Sequence, residues 1–213
     1  MKRSIQWAGL VAMIGISLLM LGGCKLFNVD PVANFSWIPS DPIARAVVQF
    51  TDDSTDEGGL FGGGGVITWD WDFGDSVSSS SKDPQHTYGK SGTYTVRLTV
   101  TDGSGAMSTK SKSITISPSL DGTWRGTWDN GAAFLDMTLD LNQSATGGIG
   151  GVLYIVTQAF PLNAASLAGS QVSISLLNGL IMQGTLSADE RSMSGQWSFQ
   201  GTPGWTWSAS LQN

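Results

Sequence analysis

The chain has 213 residues, of which 40% are hydrophobic and only 13% charged, with a formal net charge of −6. One cysteine and one histidine exclude an internal disulfide, a thiolate zinc cluster and a multi-histidine metal site. The acidic balance argues against a nucleic-acid partner, because neutralising phosphates takes clustered Lys and Arg.

The N-terminus reads as an export signal. Met1-Lys2-Arg3 is basic, an uncharged and mostly apolar stretch runs from Ile5 to Leu21, and Leu21-Gly22-Gly23-Cys24 follows. This order resembles the signal of bacterial lipoproteins. The resemblance implies cleavage between Gly23 and Cys24 and acylation of Cys24, the only cysteine. Two or more acyl chains hold a protein stably on a membrane, whereas one is marginal. A plain membrane anchor and an ordinary cleaved signal are the alternatives. Residues 1–23 are expected to be the signal and 24–30 a lipidated tether. Residue 25 is Lys rather than Asp. In a host with two membranes the sorting rule of enteric bacteria then implies the outer one. The expected location is the cell envelope, facing outward.

From Val32 the pattern is strand-like and no window carries a sustained helical stripe, so the expected fold class is all-β. Period-2 alternation marks Ala46–Phe50, Val66–Phe73, Thr93–Thr101 and Ser111–Ile116. Pro118-Ser119 is the best internal boundary, and lysine disappears after Lys112. Two units are expected, 31–118 and 119–213, folding as separate blocks. In the first, Ile67, Trp69, Trp71 and Phe73 are expected to point one way and Thr68, Asp70 and Asp72 the other. Tyr94, Val96, Leu98 and Val100 supply a second apolar row. Trp71 and Tyr94 are read as core.

The motifs of this unit are Trp69-Asp-Trp71-Asp72-Phe73-Gly74-Asp75, Pro84-Gln-His86-Thr-Tyr88 and Gly92-Thr-Tyr94-Thr-Val-Arg-Leu-Thr-Val-Thr-Asp102. They resemble the PKD domain, an immunoglobulin-like β-sandwich, in residue type and in order. The resemblance implies structural roles for Trp69, Trp71, Asp72, Phe73, Gly74, Asp75, His86, Tyr88 and Tyr94, and a corner hydrogen bond from Tyr94. Ser76 departs from the pattern where glycine usually closes the turn, and Gly58–Gly65 lengthens a loop. Asp70, Asp72 and Asp75 have the oxygen donors of a calcium site, as some PKD domains do. The other reading has Asp72 and Asp75 holding a turn through backbone N–H groups. The acidic run Asp52–Glu57 reads as a solvated loop. Gly89-Lys90-Ser91 imitates the end of a phosphate loop, but Pro84 stands where its first glycine belongs.

The second unit opens Gly122-Thr-Trp124-Arg-Gly-Thr-Trp128 and continues in short strands led by Gly151, Gly169, Gly184, Gly195 and Gly204. With Ala133–Leu141 this makes seven or eight strands, the rhythm of an up-and-down antiparallel barrel or meander. The opening weakly resembles lipocalin- and avidin-type barrels, and no ligand residue carries over. Trp124, Trp128, Trp197, Trp205 and Trp207 lie here. Trp124 and Trp128 should share a face, as should Trp205 and Trp207. They either plug a small barrel or form an aromatic platform for a sugar or other apolar ligand.

Catalysis is not expected. Glu57 and Glu190 are the only glutamates, and the sequence has no Gly-x-Ser-x-Gly, no His-Glu-x-x-His and no full phosphate loop. Asp136 and Asp140 have the spacing of a polar strand face, with Leu135, Met137, Leu139 and Leu141 facing in. No cofactor is expected. The leading reading is a lipid-anchored, non-catalytic interaction or display module for polysaccharide or surface proteins. A purely structural envelope lipoprotein and an accessory module of an extracellular hydrolase system are the alternatives.

Overall fold

The computed structural model describes residues 28–57, 65–144 and 148–212. Gly23, Cys24 and the signal expected around them lie outside the described residues, as do positions 58–64 of the glycine-rich loop. The described chain is built of strands. Close contacts divide it into two compact units that interleave in sequence. One holds the stretch ending at Trp37 with Phe50–Pro84 and Thr95–Ser113. The other holds Ile38–Gln49, Gln85–Tyr94 and the chain from Ile114 onward.

Seven strands make an immunoglobulin-like sandwich: β1 (Phe35–Ile38), β2 (Val47–Asp52), β3 (Val66–Asp72), β4 (Ser78–Ser79), β5 (Gln85–Thr87), β6 (Gly92–Asp102) and β7 (Met107–Ile116). One sheet has the order β1-β2-β5 and the other β4-β3-β6-β7. Alternation decides which side chains go inside. Trp71 pairs with Leu98 across β3 and β6, and both are fully buried. Phe35 meets Trp71 edge-on at 5.2 Å, while Phe50 lies 5.2 Å from Phe73. These tilted and edge-on contacts suit the ring quadrupoles better than face-to-face stacking.

One expectation needs correction. Ile67 does not share the face of Trp71, because it is 58% exposed. The β3–β6 register shifts between Val66 and Thr68, and this bulge turns the first residues of β3 out of the alternation.

Eight further strands form a closed barrel: β8 (Gly122–Asp129), β9 (Phe134–Gln143), β10 (Ile149–Ile155), β11 (Gln158–Ala168), β12 (Gln171–Leu176), β13 (Leu180–Leu186), β14 (Ser192–Phe199) and β15 (Thr202–Leu211). Each strand pairs antiparallel with the next, and β15 closes onto β8. Closure leaves no sheet edge for another chain to extend. Eight strands enclose a space that side chains just fill. Here Trp124, Trp128 and Trp207 fill it with Leu139, Leu153, Ile174 and Met182, all buried.

Glycine on the inward-facing positions makes this packing possible. A Cβ on Gly184 would sit 2.6 Å from Cζ2 of Trp207, and one on Gly195 only 1.9 Å from the carbonyl oxygen of Gln183. At Gly184 the Trp207 indole occupies room that a side chain would take, and at Gly195 the neighbouring strand's backbone does.

Candidate functional site

The PKD motif residues serve the turn and the core of the sandwich. Asp72 Oδ1 accepts the backbone N–H of Gly74 at 3.0 Å, and Asp75 Oδ1 accepts that of Val77 at 3.2 Å. Asp70 is exposed on the opposite face of β3 from Trp71. No group of three or more metal-ligating side chains occurs among the described residues. Gly74 has φ +82°, and a Cβ there would come within 2.7 Å of the Thr95 carbonyl oxygen. Ser76 takes the left-handed conformation at φ +73° without being glycine.

Trp69 is half-buried, and its indole N–H donates to Asp52 Oδ2 at 2.7 Å. Asp52 Oδ1 also accepts the Ser54 N–H at 3.0 Å, so the start of the acidic run is tied into local hydrogen bonds. Tyr88 is fully buried. His86 meets its ring edge-on at 4.5 Å, and Tyr94 lies 4.4 Å from it. Tyr94 is half-buried, and its hydroxyl donates to the Lys90 carbonyl at 2.9 Å.

Among the described residues, Asp102 is a titratable group that its surroundings perturb strongly. Burial alone would push its pKa up. Hydrogen bonds from Asn28, from the Ser104 hydroxyl and from the Ala106 and Ser104 amides outweigh that and hold it at about 2. The group anchors the β6–β7 turn through the Ser104 and Ala106 amides.

In the barrel the five tryptophans separate. Trp124, Trp128 and Trp207 are core residues. Trp124 Nε1–H donates to the Leu120 carbonyl at 2.8 Å and Trp207 Nε1–H to the Gln196 carbonyl at 3.1 Å. Trp197 is half-buried, stacks on Trp128 with centroids 4.6 Å apart, and donates to the Asp129 carbonyl. Trp205 is 54% exposed, with its ring against Gly131. The five therefore do not form one aromatic platform, and Trp205 and Trp207 do not share a face. The reason is a bulge. Between Gln196↔Thr206 and Ser198↔Pro203, two residues of β15 oppose the single Trp197.

A depression among the described residues lies on the outer wall of the barrel. It has a volume of about 400 Å³ and is lined by Thr127, Phe134, Ser194, Gln196, Thr206 and Ser208 among others. Phe134, at the start of β9, is 71% exposed. Its outward position follows from the alternation that sends Leu135, Met137, Leu139 and Leu141 inward, although only the paired strands reveal its polar neighbours. Asp136, Thr138 and Asp140 alternate with that inward row.

A sandwich carrying the turn and core motifs just described, followed by a closed barrel, defines a two-part all-β protein. Residues 28–117 match the model of the PKD domain family. That stretch of the chain is a PKD domain. Collagenase ColA of Bacillus cereus is 38% identical over 78 residues, which are 37% of this chain and 8% of that protein. Collagenase ColQ1 of Bacillus cereus is 29% identical over 71% of this chain and 14% of its own length. The chain thus spans a small part of these relatives. The PKD1 domain of Vibrio anguillarum Epp is 35% identical, with a TM-score of 0.37, over 43% of this chain and 99% of that domain.

Proposed function

We propose that this protein is a lipid-anchored, outward-facing recognition module without covalent chemistry of its own. Acyl chains on Cys24 hold it to the membrane. The PKD domain, 31–118, acts as spacer or contact surface, and the barrel, 119–213, carries the ligand-binding face. One observation carries the reading. A PKD domain and a barrel filled by its own side chains account for the described chain, so recognition falls to outer surfaces. The partner class is polysaccharide or surface protein.

Binding of the full-length protein to a panel of polysaccharides and purified surface proteins tests the module. Retention by at least one member supports it, and uniform failure leaves a purely structural lipoprotein. Detergent partition tests the anchor. Cys24→Ser should move the protein out of the membrane fraction, and a mutant that stays there would support an uncleaved membrane helix.

The similarity to two collagenases favours a second reading, in which this chain assists an extracellular hydrolase. Faster hydrolysis of an insoluble substrate on adding this protein, with no turnover by the protein alone, would support that role.

A further inference from the structure

The outer wall of the barrel carries a row of neutral hydrogen-bonding side chains that no single strand displays. Strand register sets Thr127 beside Ser208, Ser208 beside Ser194, Ser194 beside Thr185, and Thr185 beside Gln171. All five are exposed. The next row places Thr206 beside Gln196 and Gln196 beside Gln183, again exposed. None of these groups is ionisable. The adjoining depression has Phe134 on its wall.

We propose that the patch of this wall across β8, β15 and β14, next to Phe134, binds a short segment of an uncharged polysaccharide. The inference rests on the recognition-module reading above and assigns the face and ligand class. Neighbouring strands lie about 4.8 Å apart, so Thr127, Ser208 and Ser194 span about 10 Å before the closed wall curves away. That step is close to the advance per sugar in an extended chain, so successive sugars meet successive strands. Hydroxyl and amide groups both donate and accept, which matches sugar hydroxyls. Phe134 offers an exposed aromatic face for the C–H side of a sugar ring.

Charge selects the neutral ligand. The row holds no cation to attract an anionic polymer, and Asp136 stands beside Thr127 at its end. Arg125 lies along β8 in register with Ser210, outside the five-residue row. A densely acidic glycan meets repulsion at one end and no compensating contact along the row.

The test uses the full-length protein in mild detergent, with insoluble cellulose, chitin and mannan as neutral probes. Alginate and purified surface proteins are the contrast. Phe134→Ala and Ser194→Asp alter exposed positions, and equal melting curves would establish that both variants fold. The expected result is retention on at least one neutral polymer and none on alginate. Either variant should weaken the retention about tenfold or more. Retention on a neutral polymer that both variants leave intact overturns this face but keeps the recognition module. Retention only on alginate or a protein overturns the ligand class and again keeps the module. Failure on every probe overturns both. If a variant melts early, Thr206→Lys replaces it in the same patch and the same outcomes apply.

Discussion

The sandwich and the barrel bury tryptophan by opposite means. In the sandwich, Trp71 is surrounded by other rings, with Phe35 and Phe50 at 5.2 Å and 5.7 Å. Large groups meet large groups, and the space between two sheets accommodates them. In the barrel, closure fixes the available width. Trp207 fits because Gly184 faces it with no side chain. The sandwich core therefore depends on bulk being present, and the barrel core also depends on bulk being absent. This contrast explains why the second half of the chain carries glycines inside strands, where they cost conformational entropy.

The largest expected effect is common to both regions. Trp71→Ala and Trp124→Ala each remove a fully buried indole. Each should cost about 3–5 kcal/mol, read from denaturant or thermal melts. That is a large part of the stability of a small domain. An unchanged melt for either variant would show that its region does not rely on that indole.

Adding bulk should separate the two regions. Gly184→Ala puts a Cβ 2.4 Å from the Ser194 carbonyl oxygen and 2.6 Å from the Trp207 ring. A loss of about 1–3 kcal/mol is expected, as for overpacking generally. The control is Gly89→Ala, an exposed position of the sandwich where an added Cβ meets nothing within 4 Å, which should leave the melt nearly unchanged. If Gly184→Ala also melts like the native protein, the barrel wall yields more than the close approach implies.

The pH response should sharpen the comparison again, because the strongly held carboxylate lies in the sandwich. The folded pKa of Asp102, about 2, is below its ordinary 3.8. A depressed pKa stabilises the fold above the ordinary value and loses that contribution as pH falls through the folded one. The native protein should therefore lose stability between about pH 4 and pH 2. Asp102→Asn should be less stable at neutral pH, with a flatter profile across that window. Equal slopes for the two proteins would mean that Asp102 contributes nothing to acid sensitivity.

Much of this architecture was legible in the sequence because alternation and motif order are local. The rows through Trp71 and Leu98, and the inward row from Leu135 to Leu141, follow from period 2 alone. What stayed hidden depends on pairing. The bulge at Val66/Thr68 exposes Ile67, and the bulge opposite Trp197 parts Trp205 from Trp207. Strand β11 carries no leading glycine, holds Pro161, and has its alternation interrupted by a register shift between Leu162 and Ala164. The neutral row on the outer wall draws one residue from each of five strands. Spacing along the chain cannot reveal it, since register sets which strand residues are neighbours.

The smallest effect expected concerns one turn. Ser76 occupies φ +73° in the turn after β3, where a side chain crowds the backbone and glycine does not. Asp72 and Asp75 already secure that turn through the Gly74 and Val77 amides. Ser76→Gly therefore relieves strain without removing those bonds. Glycine also gives the unfolded chain more freedom, which offsets part of the gain. The net expectation is a stabilisation of about 0.5 kcal/mol, roughly the lower end of such backbone effects. At this size the shift in melting temperature is a few degrees at most. The informative measurement compares Ser76→Gly with Ser76→Ala, which keeps a Cβ. If Ala stabilises as much as Gly, the serine hydroxyl and not the backbone conformation sets the cost of this turn.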